Sequence, residues 1–292
     1  MANVMKIGFI GQGYVGKNYA DVFEKNGYSI VRYSLEKEYV ENKDAIKDCD
    51  IVFVAVPTPT TPRGMDMRAI KNVLPLVGKK KIAVIKSTLY PGATKELQKD
   101  FPHLTIVFSP EFLSEKTAAY DAAHPFSNII GMPSRSKRHE EAATQVQKIL
   151  PKAPHTLICS SQEAELIKYI HNGNGYAQVV FFNMMYDLVR AQGGKWDVVE
   201  GAIRNNPFIS DKYIKPVHKG GRGAGGNCFI KDFAMLRISY ENTIPHDVEG
   251  HAKLRSLEKK NGMLLAKSNK DQHIWHGVYG THPPKRAKKK RT

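Results

Sequence analysis

Over the first 160 residues, short runs of apolar, mostly β-branched residues alternate with stretches whose apolar positions recur every three or four residues. The runs predict strands over 6–10, 29–33, 51–56, 82–86, 105–108, 128–130 and 156–158. Most are apolar almost throughout, as strands covered on both faces are. The intervening stretches predict helices over 15–26, 67–77, 93–101 and 137–150. Strand and helix in alternation mark the α/β class, here a doubly wound parallel sheet.

After Ser160 the period of two disappears. Residues 163–191 predict one long helix, with Ser161 as its N-cap and Glu163 and Glu165 in its first turn. Further helices are expected over 196–204, 228–241 and 248–267, with an irregular glycine-containing loop over 205–227. The expected organisation is an α/β domain over 1–160 and a mainly helical central domain over 161–271. A basic, disordered extension is expected over 272–292, where Pro283-Pro284 precedes a lysine run.

Apolar residues at 41% and charged residues at 25% supply a buried core and argue against a disordered chain. Three scattered cysteines, Cys49, Cys159 and Cys228, exclude a disulfide framework and a cysteine-rich zinc site, and no metal is expected. No apolar run reaches the roughly 20 residues of a membrane helix, and residues 5–11 run straight into a glycine motif rather than a secretory cleavage site. A cytoplasmic protein without membrane association is the expectation. The net charge of +16 suits a polyanion, but six of those charges lie in the last eight residues. A solvated tail therefore explains much of it.

Two motifs carry chemistry. Gly11-Gln12-Gly13-Tyr14-Val15-Gly16 fits G-x-G-x-x-G between a predicted strand and a predicted helix. Gly11 makes the tight turn, Gly13 admits a pyrophosphate to the backbone, and Gly16 lets helix and strand pack closely. The helix start then offers amides and a positive dipole end to phosphates. The acid that usually holds the adenosine ribose is replaced by Ser34, and Arg32 or Lys37 could meet a 2′-phosphate. NAD is the expected cofactor, with NADP left open.

The second motif, Gly223-Ala224-Gly225-Gly226-Asn227-Cys228-Phe229-Ile230-Lys231-Asp232, sets a thiol where a glycine loop meets a helix. Dipole and Lys231 favour the thiolate, which could attack an aldehyde and pass from thiohemiacetal to thioester. Lys168 and Asn172, four residues apart on the long helix, are donors suited to a developing alkoxide. Glu111 and Glu115 share that spacing just after a strand, at the sheet edge where ligands bind, and one could activate water.

These motifs occur in order with Val56-Pro57-Thr58-Pro59, Lys86-Ser87-Thr88 before Pro91-Gly92, Ser109-Pro110-Glu111-Phe112-Leu113, and Glu163-Ala164-Glu165-Leu166-Ile167-Lys168. Together they resemble the UDP-glucose/GDP-mannose dehydrogenase family from about residue 5 to 270. The resemblance implies a Rossmann-type first domain and NAD-dependent oxidation of a nucleotide-sugar C6 alcohol to the carboxylate in two hydride transfers. It implies Cys228 as nucleophile, Lys168 and Asn172 as oxyanion donors, and Asp232 ordering lysine and water. Glu111 would assist thioester hydrolysis, Thr88 would position water, and Glu115 would support the cofactor or sugar. Cofactor contacts would come from Gly11, Tyr14, Val15, Pro57, Thr58 and Thr88.

The resemblance also implies a homodimer through the central helices, residues 248–267 above all. It implies a third, nucleotide-binding domain that is expected to be missing here, supplied if at all by a separate partner. Arg222 and Ala224 depart from the family's glycine loop, and Lys215, Lys219 and Arg222 could replace lost phosphate contacts. Two other readings stay open. One is a one-step hydroxy-acid dehydrogenase, which needs no thiol. The other is a non-catalytic relic binding nucleic acid or an acidic partner.

Overall fold

The structure, a computed structural model, describes residues 5–284. It forms two compact units. One comprises the chain up to Thr58 and from Asp66 to Lys168; the other comprises Pro59–Met65 and the chain from Tyr169 onward. The division thus falls eight residues inside the long helix rather than at residue 160, and the second unit takes a segment from within the first half of the sequence.

The first unit is built on a seven-stranded sheet. Its strands are β1 (Lys6–Ile10), β2 (Ser29–Tyr33), β3 (Ile51–Val54), β4 (Ile82–Ile85), β5 (Thr105–Phe108), β6 (Ser127–Met132) and β7 (His155–Ser160), in the order β2-β1-β3-β4-β5-β6-β7. Strand residues alternate between two cores. Val52, Val54, Ala83, Ile85, Ile106 and Phe108 face one side, and Ile51, Phe53, Val84 and Val107 face the other. Helices α1 (Tyr14–Lys25) and α5 (Lys137–Ile149) cover one face. Helices α2 (Arg68–Val73) and α3 (Ala93–Asp100) cover the opposite one. Each fully buried Phe or Ile contributes roughly 2–3 kcal/mol.

The sheet is not parallel throughout. The first five strands are, but β6 pairs with β5 antiparallel, Phe108 opposite Gly131, and β7 runs parallel to β6. The cause is the connection: the chain between β5 and β6 is spent on the Glu111 loop and the six-residue α4 (Ala118–Ala123), which packs on α1. It never returns across the sheet, so β6 enters from the carboxyl edge.

Most predicted elements shift by only one or two residues at their ends. The helix predicted over 67–77 stops at Val73 and finishes as a 3-10 turn, Leu74–Leu76, because Pro75 has no amide to donate. Helix α6 (Ser161–Ala191) is capped by Ser160, not Ser161. Ser160 Oγ accepts from the Glu163 amide at 3.3 Å, and Glu163 Oε2 accepts from the Ser160 amide at 2.8 Å, a capping box. Ser161 lies within the helix and is fully buried.

The second unit is mainly helical. From Tyr169 it holds the rest of α6, then α7 (Trp196–Arg204), α8 (Gly226–Thr243), α9 (Val248–Lys267) and α10 (Gln272–Tyr279), with small hairpins at 60–65 and 217–222. Gly173 and Gly175 sit inside α6 because a Cβ at either would press on Leu236, or on Tyr213 and Phe229, at 2.6–2.9 Å. Tyr176 consequently stacks on Phe233 with ring centroids 3.9 Å apart.

The expected disorder over 272–292 does not hold for its first part. α10 buries Trp275 and Val278 against Ile230, Ala234 and Leu265. Residues 285–292 lie outside those described. Among the described residues, no helix is long and apolar enough to cross a membrane.

Candidate active site

In the first unit the glycine turn follows β1. Gly11 has φ +90, and a Cβ there would lie 2.4 Å from the Ala55 carbonyl oxygen; one at Gly16 would lie 1.8 Å from that of Gly11. Neither position admits a side chain. Gly13, the N-cap of α1, has open space where its Cβ would be, and no acid occupies the first turn of α1. The turn leaves Tyr14 and Val15 at the open helix start, an anion-binding geometry.

Ser34 follows β2, its Oγ accepting from the Glu36 amide at 3.2 Å. Arg32 is engaged by Asp21 at 2.6 Å and Glu24 at 2.8 Å, both on α1. Two carboxylates of the same unit thus already engage its guanidinium. The turns after β3 and β4 are tied together: Thr58 Oγ1 donates to Thr88 O at 2.8 Å, and Ser87 Oγ donates to Val56 O at 2.6 Å. Pro57 is exposed on that turn.

Glu111 and Lys168 form a buried ion pair. Lys168 Nζ lies 2.9 Å from Glu111 Oε1 and donates to the Glu111 carbonyl at 2.6 Å. Burial opposes ionisation of Glu111, but the Lys168 ammonium, the Leu113 amide and Lys86 outweigh it and hold the carboxyl below the usual range. Lys86 is the residue that sequence reasoning missed. It is buried, donates from Nζ to Ser109 Oγ at 3.0 Å, and lies 4.2 Å from the centroid of the Tyr19 ring. Burial brings it down to about 7, against the pull of Glu111 and with repulsion from Lys168.

Glu115 departs from expectation. Residues 109–114 are not helical, because Pro110 and the bond from the Leu113 amide to Glu111 Oε2 turn the chain, so the four-residue spacing puts nothing on a common face. Glu111 is buried and Glu115 is exposed.

In the second unit Cys228 is the third residue of α8 and is exposed. One turn on, buried Asp232 accepts from Asn172 Nδ2 at 2.6 Å and pairs with Lys231. Thr60 Oγ1, from the 60–65 hairpin, donates to the Lys231 carbonyl at 3.1 Å. Gly223 (φ +93) and Gly226 (φ +78) need the left-handed region, and a Cβ at Gly225 would fall 2.0 Å from Asp271 Oδ2. The loop glycines thus answer to α9 and the residues after it.

Arg222 does not wait for a phosphate. It donates to Asn183 and to Asp187, each at 2.7 Å, and lies over Tyr186. An open cleft of about 670 Å³ in this unit is lined by Tyr186, Arg190, Lys195, Trp196 and Lys215 among others, and by none of Cys228, Asn172 and Asp232.

The glycine turn and doubly wound sheet define a dinucleotide-binding α/β fold. The NAD binding domain model of the UDP-glucose/GDP-mannose dehydrogenase family matches residues 32–150, and that family's central domain model matches residues 162–252. The chain belongs to the UDP-glucose/GDP-mannose dehydrogenase family. A provisionally named UDP-glucose 6-dehydrogenase of Bacillus subtilis, YtcA, is 30% identical over 213 residues, 68% of this chain and 48% of that protein. The UDP-glucose 6-dehydrogenase of Campylobacter jejuni is 29% identical over 293 residues, 88% of this chain and 73% of that one. The chain thus spans about half the length of the first relative. The fold is shared with a UDP-glucose dehydrogenase structure from Pyrobaculum islandicum, at a TM-score of 0.73 and 23% identity, over 88% of this chain and 68% of that one.

Proposed function

We propose that the protein oxidises the C6 primary alcohol of a nucleotide sugar to the carboxylate, with Cys228 as covalent nucleophile. The Gly11–Gly16 turn would hold NAD, which would supply the hydride acceptor for each of two oxidations. The chain's own residues do the rest. Lys168 and Asn172, one turn apart on α6, hold the developing alkoxide. The Cys228 thiolate adds to the C6 aldehyde, forming a C–S bond, and loss of the second hydride leaves a thioester. Glu111, kept ionised by Lys168, takes a proton from water as it attacks the thioester carbon. The C–S bond then breaks, releasing the carboxylate and the thiol.

Asn172 and Lys231 fix Asp232 one turn beyond the sulfur, and Thr88 orients water beside the cofactor turn. NAD is favoured over NADP because Asp21 and Glu24 occupy Arg32.

The observation that carries this reading is an exposed cysteine on the first turn of α8, one turn ahead of a buried Asp232 fixed by Asn172. The test is absorbance of reduced nicotinamide with UDP-glucose, GDP-mannose and either cofactor. Turnover with NAD, lost by about 1000-fold or more in Cys228→Ala, supports the reading; full turnover in that variant sinks it.

The same reading includes a homodimer. α9 directs Leu264 and Leu265 into its own unit, whereas Ile170, Phe181, Met184 and Leu188 form an exposed apolar stripe on one face of α6. That stripe is a surface a second copy would cover.

A further inference from the structure

The loop ahead of Cys228 is laid down by residues from the end of α9. Asn261 donates to the Ala224 carbonyl at 2.8 Å and accepts from its amide at 2.7 Å. Ser268 Oγ accepts from the Arg222 amide at 2.9 Å, and Lys270 Nζ donates to the Gly223 carbonyl at 3.1 Å. Asp271 Oδ2 accepts from the Gly226 amide at 2.8 Å.

Gly226 is the first residue of α8 and Cys228 the third, so the carboxylate bonds the very turn that carries the thiol. This contact is built into the backbone. Asp271 adopts φ +49, and Gly225 must lack a side chain because a Cβ would lie 2.0 Å from that oxygen. Asp271 also accepts through its carbonyl from the Trp275 amide at 3.0 Å, so α10 starts from the residue that holds α8.

A helix start favours one negative charge, and two anions on one turn compete for it. We propose that Asp271 is a positioning residue for the Cys228 thiol: its carboxylate fixes the start of α8 and, by occupying that end with negative charge, holds the thiol less ionised than a neutral cap would. The inference rests on Cys228 being the nucleophile. Other charged groups on the elements framing α8 include Lys231, Asp232, Arg237 and Glu241 on the helix itself, Arg63 on the 60–65 hairpin, Lys219 and Arg222 on the loop, Arg255, Glu258 and Lys267 on α9, Lys270, and His273 and His276 on α10. Asp271→Asn leaves all of them in place.

The test is the pH dependence of iodoacetamide alkylation of Cys228 in the full chain, with Cys228→Ser as the blank. Cys49 and Cys159, both pushed up to about 11 by burial, contribute little to that blank. Asp271→Asn is expected to move the alkylation midpoint down by about half a pH unit, and Asp271→Glu to leave it in place. Asp271→Ser, a neutral capping residue, serves the same test should the Asn variant fold poorly. A midpoint that stays put in the neutral variants, or moves equally in Asp271→Glu, overturns the proposal. If Cys228→Ala keeps turnover, the nucleophile reading falls whatever this curve does; if turnover is lost but the midpoint does not move, only the role of Asp271 falls.

Discussion

Lys86 follows strand β4 as a buried ammonium beside the Glu111–Lys168 pair. Its folded-state pKa of about 7 lies below the ordinary value of 10.5. Between those values the unfolded chain binds the extra proton, so stability rises with pH from about 7 toward 10.5; below about 7 both states are protonated and the contribution is level at its minimum. Lys86→Met removes that dependence. It is expected to raise unfolding stability at pH 7 by about 2 kcal/mol and to flatten the gain between pH 7 and 9.5, measured by urea midpoints. A less stable variant at pH 7, or an unchanged slope, contradicts the account. Sequence reasoning passed over Lys86 because a lysine at the end of an apolar run looks like a strand reaching water. It passed over Asp271 because a charge in a basic, polar segment looks like surface. Cys228, Lys168 and the three glycines were legible because each breaks its local pattern in a way that backbone geometry or chemistry demands.

Helix α6 shows how much an element can carry. It contributes Lys168 to the first unit and Asn172 to the second, caps α3 through Glu165, whose carboxylate accepts from the Gly92 and Thr94 amides at 2.6 and 2.8 Å, and exposes an apolar stripe. Under the dimer reading, Phe181→Glu with Leu188→Glu would convert a dimer to a monomer in sedimentation while far-UV helicity stays within about a tenth. A dimer that persists, or a wild type that is monomeric at micromolar concentration, contradicts it. The long period-3.6 stretch made α6 legible, whereas the need for Gly173 and Gly175 was not, because Leu236, Tyr213 and Phe229 are distant in sequence. The reversal of β6 was not legible, since hydropathy carries no strand direction. α10 had a signal: Trp275, Val278 and Tyr279 at helical spacing in a segment otherwise dominated by polar and basic residues.

At the scale of the molecule, a nucleotide-binding unit and a helical unit share one continuous helix, and both match one dehydrogenase family. Order of motifs along the chain made the family legible before any contact was known; the placement of Pro59–Met65 in the second unit was not, because a seven-residue hairpin has too little hydropathy to show which core it joins. The central claim is covalent four-electron oxidation at one carbon, and the most direct measurement is the amount of nicotinamide reduced per nucleotide sugar consumed, with sugar limiting and NAD in excess. The account predicts two reduced cofactors for each sugar and a carboxylate product. One reduced cofactor per sugar, with a carbonyl product, would contradict it.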